Sequence, residues 1–190
     1  GAEITLKNVS LTNFGTMPVY CSNESELVMD TVDITGVTSS KSMTVYYTNG
    51  VEDNRFEYQS PGYPFSANRC ELDLSDVTIR DVDHYGVTLT NSAIEMDGLV
   101  VEDIRGASNG GLELNYYFID YDSDGAPDSW SLPSIEASDI TVRAINKTNG
   151  LYIQGYRYCT VKDATTGECT EYADVSGTIL LSDILVEADS

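Results

Sequence analysis

One motif returns six times in this chain, always with the same internal frame. The copies are ITLKNVSLTNF from Ile4, LVMDTVDITGV from Leu27, LDLSDVTIRDV from Leu72, IEMDGLVVEDI from Ile94, IEASDITVRAI from Ile135 and ILLSDILVEAD from Ile179. Aligned, their first, third, sixth, eighth and eleventh columns are almost wholly apolar, with Ala137 and the final Asp189 as departures. The fifth column holds Asn8, Thr31, Asp76, Gly98, Asp139 and Asp183. Two short strands of period two joined by a polar corner account for that pattern. On a helix the same apolar positions would scatter around the axis, and the Val, Ile and Thr content also favours strands.

A third apolar alternation follows five of the copies, reading TMPVYCS, SMTVYYT, GVTLTN, GLELNYY and GLYIQGY in order. The short spacings between copies, 23 and 22 residues, set the length of one coil; the long ones, 45, 41 and 44, add insertions near 49–69, 118–133 and 157–177. A coil of three strands cannot bury its inward face alone, so copies must stack layer on layer, about 4.8 Å apart. The expected fold is therefore all-β, a right-handed parallel β-helix of about six coils forming one domain over residues 1–190. An antiparallel sandwich also uses short strands, but its hairpins give no reason for one motif to return in a fixed frame. The six units and the Gly-led strands after them resemble the pectate-lyase-like parallel β-helix superfamily. That resemblance covers most of the chain and implies a fold rather than an activity, because lyases, hydrolases, tailspikes and adhesins share the scaffold.

The charge narrows the partners. With 31 Asp and Glu against 10 Lys and Arg, the net charge of -21 repels nucleic-acid phosphates and anionic membranes and attracts cations. No stretch approaches the roughly 18 apolar residues of a membrane span. The four cysteines suit an oxidising compartment, which points to a secreted or cell-surface chain. Cys159 and Cys169 bracket the polar segment TVKDATTGE and read as a local disulfide, leaving Cys21 for Cys70; four free thiols are the alternative.

The sharpest local motif is DYDSDGAPDSW, from Asp120 to Trp130. Asp120, Asp122 and Asp124 alternate before Gly125, Ala126 can offer its carbonyl, and Asp128 follows. A hard cation such as calcium takes six to eight oxygens from this kind of loop. The segment resembles the calcium loops of thrombospondin type 3 and dockerin-like repeats, which implies a structural Ca2+ ordering the insertion. It departs from an EF-hand in having Ser131 where a bidentate Glu would stand.

Signals for catalysis are weak, and no catalytic residue is assigned. His84, the single histidine, lies in DVDHYG just after Asp81 and Asp83 and reads as a structural turn residue. Among 31 acids a pair facing one cleft arises by chance, so it decides nothing. Arg80 and Arg143 share an outward column and read as charge balance. Tyrosine is abundant, 13 against four Phe. Tyr20 and Tyr46 are expected in one outward column, and with Tyr152 they are candidates for stacking on a saccharide or for an interface, ordinary aromatic packing being the alternative. Asn8, Asn23 and Asn146 begin Asn-x-Ser/Thr triplets and are candidate glycosylation acceptors.

Neither end shows a capping helix, although solenoids normally cover their terminal coils. Three readings of the ends stand open: the repeat belongs to a longer β-helix, the insertions fold over the ends, or one subunit's last coil stacks on the next subunit's first. The leading expectation takes the third, an extracellular structural protein, a calcium-ordered subunit stacking head-to-tail into a homo-oligomer or filament. A saccharide-binding or adhesive module of a larger surface protein is the second reading. A calcium-dependent polysaccharide lyase or hydrolase is the third.

Overall fold

The computed structural model describes residues 1–48, 51–60, 62–105, 110–120, 125–145, 150–173 and 177–188, with the side chains of 40–48, 51–60, 144–145, 173 and 188 outside that description. The strands are β1 (Glu3–Thr12), β2 (Val19–Val37), β3 (Ser40–Thr48), β4 (Val51–Ser60), β5 (Phe65–Val82), β6 (Val87–Thr90) and β7 (Ala93–Ile104). They continue as β8 (Leu112–Asn115), β9 (Ser134–Ile145), β10 (Leu151–Gln154), β11 (Tyr158–Lys162), β12 (Cys169–Ala173), β13 (Thr178–Leu181) and β14 (Ile184–Ala188). A 3-10 turn at Ser129–Ser131 is the one helical element among the described residues.

The six repeats pair in parallel and in register. Ile4 lies opposite Leu27, Leu27 opposite Leu72, Leu72 opposite Ile94, Ile94 opposite Ile135, and Ile135 opposite Ile179. The third strands make their own ladder: Val19, Phe65, Val87, Leu112 and Leu151 are successive partners. These ladders join into one curled parallel sheet with the order β10-β8-β6-β5-β7-β9-β13, to which β1, β2 and β14 add. The long strands change direction at fixed points. β5, for example, pairs β6 through Phe65–Asn68 and β7 from Glu71 onward.

The corners have a backbone cause. Every fifth-column residue is left-handed, with φ of 52° at Asn8, 58° at Thr31, 50° at Asp76, 79° at Gly98, 50° at Asp139 and 53° at Asp183. Asn, Asp and Gly tolerate that region best, which explains the column's composition. A second left-handed corner falls at the tenth column, in Asn13, Gly36, Asp81 and Asp103. A third, at Asn23, Glu24, Arg69 and Asn91, turns the first three third strands into the repeats that follow them.

The predicted apolar columns form the core. Met29, Ile34, Leu74, Ile79, Leu99, Val101 and Val142 are buried, each contributing about 1.5–3 kcal/mol of transfer free energy. Burial fades at the outer layers, where Ile4 is 48% exposed, Ile179 40% and Val186 46%.

One expected strand is elsewhere. SMTVYYT does not extend the parallel ladder: β3 pairs antiparallel with β4, from Ser40 opposite Ser60 to Thr48 opposite Val51. The second repeat's third strand is instead Phe65–Asn68, so this insertion begins near residue 40 rather than 49 and ends before Phe65. Tyr46 therefore does not share a column with Tyr20, whose ladder partner is Ser66. The third insertion is a second antiparallel hairpin, β11 with β12.

Candidate functional site

Both expected disulfides form, Cys21 with Cys70 and Cys159 with Cys169. The first lies in the core and joins the third strand of one layer to the start of a repeat two layers on. The second ties β11 to β12. No helix among the described residues is long and apolar enough to cross a membrane. The bonded cysteines are consistent with an oxidising, extracellular setting.

The outer face of the third-strand ladder carries the richest grouping of polar and aromatic side chains. Alternation along β8 and β10 sends Leu112, Leu114 and Leu151 inward, so Glu113, Asn115, Tyr152 and Gln154 point outward. Register then sets Tyr152 beside Glu113 and Gln154 beside Asn115. The hydroxyls of Tyr152 and Tyr117 both approach Oε1 of Gln154, at 3.2 and 3.5 Å. Tyr117 is held from behind, its N–H donating to Oδ1 of Asn91 at 2.7 Å while Nδ2 of Asn91 donates to its carbonyl at 3.1 Å. Tyr152 and Tyr117 remain 38% and 45% exposed. Beside Tyr152 and Gln154, Glu113 and Asn115 are only 8% and 6% exposed. Oδ1 of Asn115 is buried without a hydrogen-bond partner, whereas Oε1 of Glu113 accepts the Gly110 N–H at 3.0 Å. On the other flank Tyr63 and Tyr85 stack with ring centroids 4.3 Å apart. Burial first, then Tyr85 and the negative charge of Glu113, push the Tyr63 phenol up to about 12.

Tyr20 and Tyr152 do belong to one column, Tyr20–Ser66–Thr88–Glu113–Tyr152, but at its two ends. Four layer steps, roughly 19 Å, separate them, so they do not form one platform. Tyr46 is outside the described side chains. Glu113, Asn115 and Gln154 were not expected from sequence. Stacking GLELN on GLYIQ would have revealed them, because both segments place polar or aromatic residues at their outward positions.

In the acidic loop, Oδ2 of Asp120 accepts the Gly125 N–H at 3.1 Å, and Oδ1 of Asp120 is buried with no hydrogen-bond partner. Asp128 opens the 3-10 turn, its carbonyl accepting the Ser131 N–H at 2.9 Å. Asp122 and Asp124 lie outside the described residues, as does Asn146. Among the described residues no group of three His, Cys, Asp or Glu side chains is placed to hold a metal ion. Asn8 and Asn23 are exposed corner residues, and Oδ1 of Asn23 accepts from Arg69 at 3.2 Å.

His84 packs at 5.0 Å from Tyr85, with Nδ1 buried and without a hydrogen-bond partner. Arg80 pairs with Asp33 and Arg143 with Glu102, as outward charge balance requires. The outer face of the first strands is rich in carboxylates, with Lys7, Val28 and Leu180 among the exceptions. Glu3, Glu26 and Glu71 form one column and Asp73, Glu95 and Glu136 another, and all of these but Glu3 line one shallow groove.

No family model, curated protein or solved structure matches the chain. Its function has to be read from its own side chains.

Proposed function

We propose that the chain is an extracellular, right-handed parallel β-helix that serves as a saccharide-binding module, with its ligand on the outer face of the third-strand ladder. The observation that carries this reading is the grouping of exposed Tyr117 and Tyr152 around Gln154, beside the nearly buried Asn115 and Glu113. A pyranose ring has an apolar C–H face and a rim of hydroxyls. Tyrosine rings offer the first a flat surface, and amide and carboxylate groups offer the second fixed partners. Three left-handed corners in each of the first three layers support closure of the sheet into a helix. Binding to a panel of oligosaccharides, followed by calorimetry, tests the site: Tyr117→Ala and Tyr152→Ala should each weaken affinity by about fivefold or more. Wild-type protein that binds no glycan, or variants that bind as well as wild type, would remove the reading.

A structural reading has its own support. Ile4, Ile179 and Val186 occupy columns that are buried in the middle layers yet are open at the outer ones. We propose that each outer layer accepts a further β-layer, from the same polypeptide or from a second copy stacked head-to-tail. Light scattering that finds only monomer at high concentration, for this chain alone, would count against the second-copy form.

We also propose that the loop from Asp120 to Asp128 holds calcium. The unpartnered Oδ1 of Asp120 fits such an ion. Asp120, Asp122, Asp124, the Ala126 carbonyl and Asp128 would supply oxygens, and bound calcium would neutralise their charge and order the insertion. Calorimetric titration should register calcium binding that Asp120→Asn weakens at least tenfold; absence of any binding heat up to millimolar calcium would end the proposal.

A further inference from the structure

Resting on the saccharide reading above, we infer that this face selects uncharged glycans and rejects uronates and sulfated chains, with Glu113 as the residue that sets the discrimination. The first ground is the balance of donors and acceptors. Both tyrosine hydroxyls are directed at Oε1 of Gln154, and Oδ1 of Asn115 has no partner. The carboxylate of Glu113 can only accept when ionised, and its described partner is one backbone N–H. The acceptors left over are Oδ1 of Asn115 and the Glu113 carboxylate, and their complement is a ligand that brings O–H or amide N–H donors. Neutral sugars are such ligands. A carboxylate or sulfate brings more acceptors and a negative charge.

The second ground is the whereabouts of the cations. Lys7 pairs with Asp30, Arg80 with Asp33, Arg105 with Asp81 and Asp83, and Arg143 with Glu102, while Arg157 lies over the Tyr172 ring. None of these described partners is Glu113 or Tyr152. An anionic group bound over Tyr152 would stand within about 6 Å of the Glu113 carboxylate, since neighbouring strands are 4.8 Å apart. At an effective dielectric near 20 that repulsion is worth on the order of a hundredfold in affinity.

The experiment compares matched oligomers on the full chain by isothermal calorimetry: cello-, xylo- and chito-oligosaccharides against oligogalacturonates, each with EDTA and with calcium. The neutral oligomers should bind on the order of a hundredfold more tightly, and the ratio should narrow as salt rises from about 50 to 500 mM. Glu113→Gln should cut the ratio at least tenfold, chiefly by raising uronate affinity. Glu95→Gln, an equal change in net charge on the acidic first-strand face, should leave the ratio unmoved. Uronates binding as tightly as neutral oligomers would overturn the inference while leaving a saccharide site standing, as would a ratio indifferent to both salt and Glu113→Gln. Binding of no oligomer at all would overturn both readings together. The salt dependence is read on wild-type protein, so the inference stays exposed to refutation even if Glu113→Gln fails to fold.

Discussion

Thr31 holds a left-handed backbone, φ 58°, in a corner column where four other positions are Asn or Asp and one is Gly. A β-branched side chain in that region crowds the following carbonyl and costs about 1–2 kcal/mol more than residues suited to it. Thr31 does donate to Oδ1 of Asp30 at 2.9 Å, but that bond is exposed and Asp30 also pairs with Lys7. Thr31→Asn should therefore stabilise the fold by about 1 kcal/mol, read as a higher urea midpoint at unchanged slope. An unchanged midpoint would mean that the corner relaxes around threonine. Tyr116 makes a prediction in pH. Its hydroxyl is buried, donates to the Ser92 carbonyl at 2.6 Å, and is pushed up to about 12 by burial. Its folded value thus lies above the ordinary value of 10.0. The associated stability is intact below pH 10 and lost as pH rises from 10 toward 12. Denaturation midpoints across that window should fall, and Tyr116→Phe should flatten the fall.

At the level of elements, most of the repeat was legible because inward columns, corners and register all express one frame. The first and second strands lie where the apolar columns place them. The second layer's third strand did not, for a physical reason: a hairpin arm and a solenoid strand share the same period of two, and SMTVYYT has the stronger alternation. Phe65–Asn68 presents only Phe65 and Ala67 inward, a faint signal. A discriminating signal was present in Asn49-Gly50, the two residues between the Thr48–Val51 pair, because Asn-Gly between alternating segments favours a two-residue hairpin. The tenth-column corner was missed since apolar columns alone do not reveal backbone handedness. The two disulfides should differ sharply in what they stabilise. Cys21–Cys70 spans 49 residues through the core, so Cys21→Ser with Cys70→Ser should cost about 4 kcal/mol by loss of the loop constraint. Cys159–Cys169 closes a loop of 10 residues at a surface hairpin. Its removal should free β11 and β12 locally and leave the main transition almost unmoved. Hydrogen exchange with thermal melting separates the two effects, and equal melting shifts for both pairs would refute the distinction.

Across the whole molecule, stacking turns a one-dimensional repeat into columns of like residues, and both the tyrosine-bearing face of the third strands and the acidic face are products of it. The candidate site could not be read from one segment, since Glu113 and Asn115 meet Tyr152 and Gln154 only when the fourth layer is set on the fifth. Tyr117 enters through the Asn91 bracket, which no spacing announces. The same stacking makes the net charge of -21 locally costly. Asp73, Glu95 and Glu136 are successive partners, so Glu95 has a carboxylate on each side, whereas Glu136 has one and Leu180 on the other. Like charges about 4.8 Å apart repel by roughly 1 kcal/mol per pair in water before screening. Glu95→Gln should accordingly stabilise the fold by up to about 1 kcal/mol at low salt once screening and side-chain freedom are allowed for, and Glu136→Gln by about half as much. Both gains should shrink toward zero in about 1 M salt, where the screening length is about 3 Å. Melting temperatures of the two variants and wild type at low and high salt test this ordering. If Glu136→Gln proves the more stabilising, or if neither gain depends on salt, then repulsion along the column does not set the stability of this face.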